Sequence, residues 1–251
     1  MPPRPMVALV ALPEARFPPQ QAVFERFGQL RPDLPPIVQV ERQEDVCSFV
    51  IGRDTAAISL MDAPIPWADL ERPCATAWYW PEAEASMRDH RAHVLVVVLS
   101  DSPDRVATAL FLTSLVAAVA ECSEANGVCW VPATLVHSPE AFIDSCQEMS
   151  KEYLPLYLWV SFAIQQHHDG SYCVFTTGLA EFGLMEIEVH GSYKDPEFLM
   201  DRVFNIAHYL LDNGPVLEDG ETIGLSDDEE IPVHHGPSMW DERMTVIQLG
   251  L

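Results

Sequence analysis

The run VLVVVL at 94–99, followed after Ser102-Pro103 by a nearly unbroken apolar stretch at 106–120, limits this chain more than any other feature. A β-branched run without polar alternation predicts a strand covered on both faces. The stretch after it falls short of the roughly 20 residues a membrane-spanning helix needs. It predicts instead a helix buried in a core, with Gly127 as its stop. A strand and a helix that both need cover require a layered interior. The composition can build one: 48% of the 251 residues are hydrophobic and 21% charged, too apolar for a disordered chain despite a formal charge of -24.

Short apolar or alternating segments bounded by turn residues predict further strands near 7–12, 37–40, 47–51, 56–61, 128–131, 157–165, 172–177, 185–189, 231–234 and 245–249. Asp169-Gly170 predicts a hairpin. Helical spacing and capping residues predict helices at 19–30, from Pro81, from Ser138-Pro139-Glu140 to 149, and from Asp195-Pro196-Glu197 to 212. The Pro- and Trp-rich stretch 64–80 reads as irregular or broken helix. The expected fold is α+β, with mixed, mostly antiparallel sheet and packed helices. No linker composition divides the chain, so 1–251 reads as one compact unit. Two ferredoxin-like-style α/β half-modules, 1–133 and 134–251, are the alternative organisation.

Charge excludes several function classes. Fourteen basic residues, two of them lysines, face 38 acidic ones, which leaves no electrostatic footprint for nucleic acid or for an anionic membrane surface. The short apolar start at 6–12, ended by Pro13 and Glu14, reads as a strand and not as a secretory signal. Six scattered cysteines without a C-x-x-C pair fit a reducing cytoplasm better than a zinc site. The charge is also lopsided: residues 126–251 hold 4 basic and 21 acidic residues, and none of the basic ones lies between Arg202 and Arg243. Such a segment is a solvated surface, a docking face for a basic partner or a divalent-cation site, though it lacks the alternating acids and central glycine of an EF-hand. For the second reading the contact residues are Asp219, Glu221, Asp227, Asp228, Glu229 and Glu230, with Trp240 as an aromatic anchor.

Candidate chemistry is sparse. Glu186, Glu188 and His190 alternate in MEIEVH and would share one strand face. There they could bind a metal or move protons, or they could be the wet side of an antiparallel sheet, which alternation favours. His90 and His93 straddle a helix–strand junction. His167-His168 and His234-His235 point adjacent side chains to opposite faces, which leaves exposed hairpin histidines as the default. Ser138 next to His137 reads as a helix cap. Trp78-Tyr79-Trp80 reads as a core plug, with pocket or partner contact as the alternative. No nucleotide-binding glycine loop or nucleophile elbow is present. No catalytic residue, metal ligand or cofactor is predicted.

Five segments taken together, APIPWADLERPCATAWYWPEA (63–83), VHSPEAF (136–142), FTTGLAEFGLMEIEV (175–189), LLDNGPVLEDGETIGLSDDEEI (210–231) and PSMWD (237–241), resemble bacterial proteins of the domain-of-unknown-function family numbered 4261. The likeness extends over most of the chain. It implies no catalytic residues. The association of some relatives with type VI secretion and polymorphic-toxin genes implies an immunity or accessory role. The expected function is therefore an acidic cytoplasmic protein that binds and neutralises a basic protein partner such as a toxin. An enzyme of unknown reaction using Glu186, Glu188 and His190 is the alternative.

Overall fold

The computed structural model describes residues 4–226 and 229–251, so Asp227 and Asp228 of the expected docking face lie outside the described residues. The fold is α+β, with two mostly antiparallel open sheets. The chain divides into two compact units, Met1–Trp159 and Val160–Leu251.

In the first unit the elements run β1 (Arg4–Leu12), α1 (Gln20–Leu30), β2 (Ile37–Gln43), β3 (Val46–Ile51), β4 (Asp54–Met61), α2 (Trp67–Thr76), α3 (Ala83–Arg88), β5 (Ala92–Ser100), α4 (Arg105–Glu121), β6 (Gly127–Trp130), β7 (Leu135–His137), α5 (Pro139–Glu148) and α6 (Leu156–Trp159). The strands form one antiparallel sheet in the order β2-β3-β4-β5-β1-β6-β7. β1 sits inside it, paired over its full length with β5 from Arg4↔Ser100 to Leu12↔Ala92. As expected, α4 is buried all round, from Thr108 to Ala120. The sheet covers one side of it, and Phe111 meets Phe27 of α1 on another, ring centroids 5.3 Å apart.

The expectation for β5 is corrected. Val94, Val96 and Val98 are fully buried, whereas Leu99 is exposed and Leu95 and Val97 are only partly covered. The reason is the extent of the second layer. Helices α2 and α3 and the link between them pack through Leu70, Cys74, Trp80 and Met87 onto Ala11, Cys129 and Val136, at the β1-β6-β7 end of the sheet. The hydrophobic β5 face beyond that cluster is left half-covered. Gly127 opens β6 instead of stopping α4, which ends at Glu121. A Cβ there would collide with the Met87 sulfur and come within 2.9 Å of the Trp80 ring.

The second unit holds β8 (Ser161–Gln166), β9 (Tyr172–Thr177), β10 (Ile187–Ser192), α7 (Pro196–Asn213), β11 (Thr222–Ile223), β12 (Ile231–Pro237) and β13 (Thr245–Leu249), in the sheet order β11-β12-β13-β10-β9-β8. Only the β10–β13 pair is parallel among these ladders. The alternating run at 157–165 is strand only from Ser161, because the chain turns helical over Leu156–Trp159 behind Pro155. Asp195 caps α7 by accepting from the Glu197 and Phe198 amides, at 2.9 and 3.1 Å. Leu199, Val203, Ile206 and Leu210 form the buried stripe of α7. The registers put Ile164, Val174, Val189, Leu249 and Val233 in one row across the sheet. Phe162 shares that face and packs on Phe204 of α7. The opposite face carries the row Ala163, Phe175, Glu188, Gln248 and His234.

Candidate functional site

Alternation in MEIEVH sends Ile187 and Val189 under α7 and Glu188 to the far face. The wet-face expectation then fails, because Glu186 and Glu188 are only 7% and 3% exposed. Each carboxylate is buried because loops fold over it and supply donors. Glu186 lies just before β10. Its Oε1 accepts from the amides of Gly178 (2.8 Å) and Ala180 (3.1 Å), and its Oε2 from the Thr176 hydroxyl (2.7 Å). It therefore fastens the turn after β9 and has no oxygen left for chemistry.

Glu188 is different. Its Oε1 accepts from the Ser238 hydroxyl at 2.5 Å, and its Oε2 faces the Met239 amide at 3.0 Å and His190 Nε2 at 2.6 Å. The same Ser238 oxygen accepts from the Trp240 amide at 3.0 Å, so one buried carboxylate and one hydroxyl pin the 238–241 segment across the sheet. Trp240 lies on Phe175 with centroids 4.8 Å apart, and half of its surface remains exposed. His190 is the solvent-facing end of this chain of contacts, its side chain 32% exposed. A buried carboxylate holding a partly exposed imidazole is an arrangement that can orient the ring. Ser238 bonds the carboxylate and not the histidine, so the three residues do not make a nucleophile–base relay.

Beside this group the β10 ladder is interrupted between Val189 and Ser192, with Gly191 at φ +62°. The bulge faces Cys173, whose sulfur accepts from the Gly191 amide at 3.3 Å and contacts His167 Nε2 at 2.9 Å. Sequence reasoning left His167 as an exposed hairpin residue. Counting outward from Asp169-Gly170 to the pair Gln166↔Tyr172 places positions 167 and 173 as diagonal neighbours, the signal that would have found this contact. Among the described residues, no three His, Cys, Asp or Glu side chains are grouped to hold a metal ion.

The docking-face residues divide by what already occupies them. Asp219 is exposed and accepts from the His235 amide at 2.8 Å. Glu221 is exposed and accepts from the Glu218 amide at 2.8 Å. Glu229 is half-buried, bound to Arg202 Nε at 2.7 Å and to the Leu225 amide at 2.9 Å. Those two contacts, the amide first, hold its carboxyl below the ordinary range. Glu230 is exposed. Polar turns recruit carboxylates as local acceptors, which is why several of these acids also serve the backbone.

The remaining candidates are structural. His90 is buried, with Nε2 accepting from the Ile65 amide at 2.7 Å and Nδ1 against the Met87 carbonyl. His93 contacts the Ala63 carbonyl at 2.8 Å. Ser138 caps α5 as expected, accepting from the Ala141 amide at 3.2 Å. His137 is buried beneath Tyr79, and desolvation pushes its pKa down to about 4. Of the aromatic triplet, Trp80 is the core plug, Tyr79 donates to the Val136 carbonyl at 2.8 Å, and Trp78 is 79% exposed. All six cysteines are free, and burial pushes the thiols of Cys74 and Cys146 up to about 11, the reverse of what a nucleophile needs.

A family described as a domain of unknown function (DUF4261) matches residues 175–249. The match takes in Glu186, Glu188, His190, the acidic segment and Trp240. It leaves out the resembling segments at 63–83 and 136–142. No curated protein and no solved structure matches the chain.

Proposed function

For a chain whose residues 175–249 match the DUF4261 family, we propose an acidic cytoplasmic binding protein, an immunity or adaptor protein that neutralises a basic toxin or secretion-associated partner. The observation that carries this reading is the charge of the second unit. Residues 160–251 hold 17 acidic and 3 basic side chains. Two of those three are already taken, Arg202 by Asp201 and Glu229 and Arg243 by Asp241. Uncompensated carboxylates attract a cationic partner at long range and raise its association rate. Exposed Asp219, Glu221 and Glu230 supply that field, and half-exposed Trp240 is the apolar anchor of this reading. Asp227 and Asp228 belong to the same segment by sequence. Occlusion of the partner's active site would follow docking. The test is capture from host lysate at low and high salt, read by mass spectrometry, then repeated with Asp227→Lys and Asp228→Lys. A stoichiometric basic partner, released by salt and lost on charge reversal, is the expected result. Capture unaffected by both reversals would remove this docking face.

One observation favours a second reading, an enzyme of unknown reaction. Glu188 holds His190 at 2.6 Å from a buried position, which orients an imidazole for proton transfer. A small-ligand screen against the native chain and His190→Ala tests it. Ligands that bind both equally would end it.

No helix of the described residues is long and apolar enough to cross a membrane.

A further inference from the structure

Helices α2 and α3 cover only the β1-β6-β7 end of their face of the first sheet. The strand registers show what the rest of that face carries. Pro5, Leu99, Thr55, Val50 and Val38 fall in one row across β1, β5, β4, β3 and β2. The next two rows run through Val97 and Leu95. Glu41, on the edge strand β2, is the one charged residue in the three rows. In a chain whose residues are 21% charged, such a face is an exception. It is also open to water: Val38, Val46 and Leu99 are 47%, 40% and 39% exposed, and Val50, Leu95 and Val97 are only partly covered. Monomers rarely leave so continuous an apolar surface in water.

We propose that two copies of the chain pair through this face, sheet on sheet about a two-fold axis. Charge selects the occupant. A basic partner, the class proposed for the acidic second unit, would bury its cations here with no carboxylate to meet them except Glu41 at the rim. An anionic lipid surface repels a chain of formal charge -24. A second copy brings a face as free of charge as the one it covers, and like charge elsewhere on the chain confines self-contact to such a face. Size agrees with this. Five strands about 4.8 Å apart, over about six residues of 3.4 Å each, give a footprint of about 500 Å² per copy and about 1,000 Å² for two. That is the size at which specific interfaces begin. The pairing uses the first unit alone and does not depend on the acidic docking face.

Sedimentation equilibrium of the full chain at about 0.15 M and about 0.5 M sodium chloride tests the proposal. A species of twice the 28.0 kDa chain mass is expected, with a Kd of about 10 µM or tighter. The Kd should fall at the higher salt, which screens repulsion between two acidic copies. Leu99→Lys and Val46→Lys each place a charge inside the contact and should raise the Kd at least about tenfold. Both side chains are exposed in the single copy, so circular dichroism should show an unchanged fold, and either variant suffices should the other fail to fold. Tyr153→Lys makes the same change of charge at a residue 65% exposed and outside the three rows, and should leave the Kd as it was. A native chain that stays monomeric at both salts would overturn the pairing. A dimer indifferent to both face variants would overturn this face, and one that dissociates as salt rises would show association by charge and overturn the apolar contact.

Discussion

At the level of single residues, the buried charges carry the most weight. Glu188 accepts three bonds, and its removal leaves the Ser238 hydroxyl hydrogen and the Met239 amide without acceptors. Glu188→Ala should therefore cost about 3 kcal/mol, seen as a lowered urea midpoint together with a change in Trp240 fluorescence. A loss below about 0.5 kcal/mol would mean that the 238–241 segment is held by something else. Glu188→Gln keeps acceptor capacity and should cost less. His137 makes a prediction about pH. Its folded pKa is depressed to about 4 by burial, so between pH 6.5 and 4 the unfolded chain binds a proton that the folded one does not. Stability is unaffected by this residue above pH 6.5 and falls as pH drops, by about 3 kcal/mol across the window. Denaturation of His137→Gln at a series of pH values should show a flatter slope over that range, and an equal slope would refute it. Neither residue was legible from pattern alone. Alternation put Glu188 on the far face correctly, but nothing local said that PSMWD, fifty residues on, would cover it.

Whole elements were easier to read because their signals are local. Ser138 and Asp195 cap the helices that their sequences announced, and Asp169-Gly170 turns the hairpin it predicts. The cap at α7 has two amides on one carboxylate oxygen, so Asp195→Ala should cost about 1 kcal/mol and Asp195→Asn close to nothing, as thermal or urea midpoints would show. The misread elements depend on distant cover or on very short pairings. β5 lacks polar alternation yet is half-covered on one face, because α2 and α3 reach only the β1-β6-β7 end. β7 and β11, of three and two residues, have no periodicity to detect. Gly127 looked like a helix stop because glycine often is one. Its real constraint is the side chains of Met87 and Trp80 against its backbone. Gly127→Ala should therefore destabilise by about 1–3 kcal/mol, beyond the small stabilisation that an alanine gives where space allows. A neutral or stabilising outcome would mean that Met87 can swing aside.

For the whole molecule, charge sets the behaviour. Even if every one of the 14 cations neutralised a carboxylate, 24 acids would remain without a counter-charge. Some of the observed pairs are at the surface: Arg88–Glu84 joins two well-exposed groups, and Arg243–Asp241 joins an exposed guanidinium to a partly exposed carboxylate, and such pairs contribute about 0–1 kcal/mol each. Repulsion among the remaining acids acts over distances that salt screens, with a Debye length of about 30 Å at 0.01 M falling to about 3 Å at 1 M. Raising salt therefore weakens two opposed terms, a few short attractions and many longer repulsions, and the count favours the repulsions. The urea midpoint should rise from about 0.01 M to about 0.5 M sodium chloride, and sodium chloride should act well below the concentrations at which excluded salts strengthen burial. A midpoint that fell would show that the ion pairs outweigh the repulsion, and the unspent negative charge on which docking of a basic partner depends would then be largely compensated within the fold.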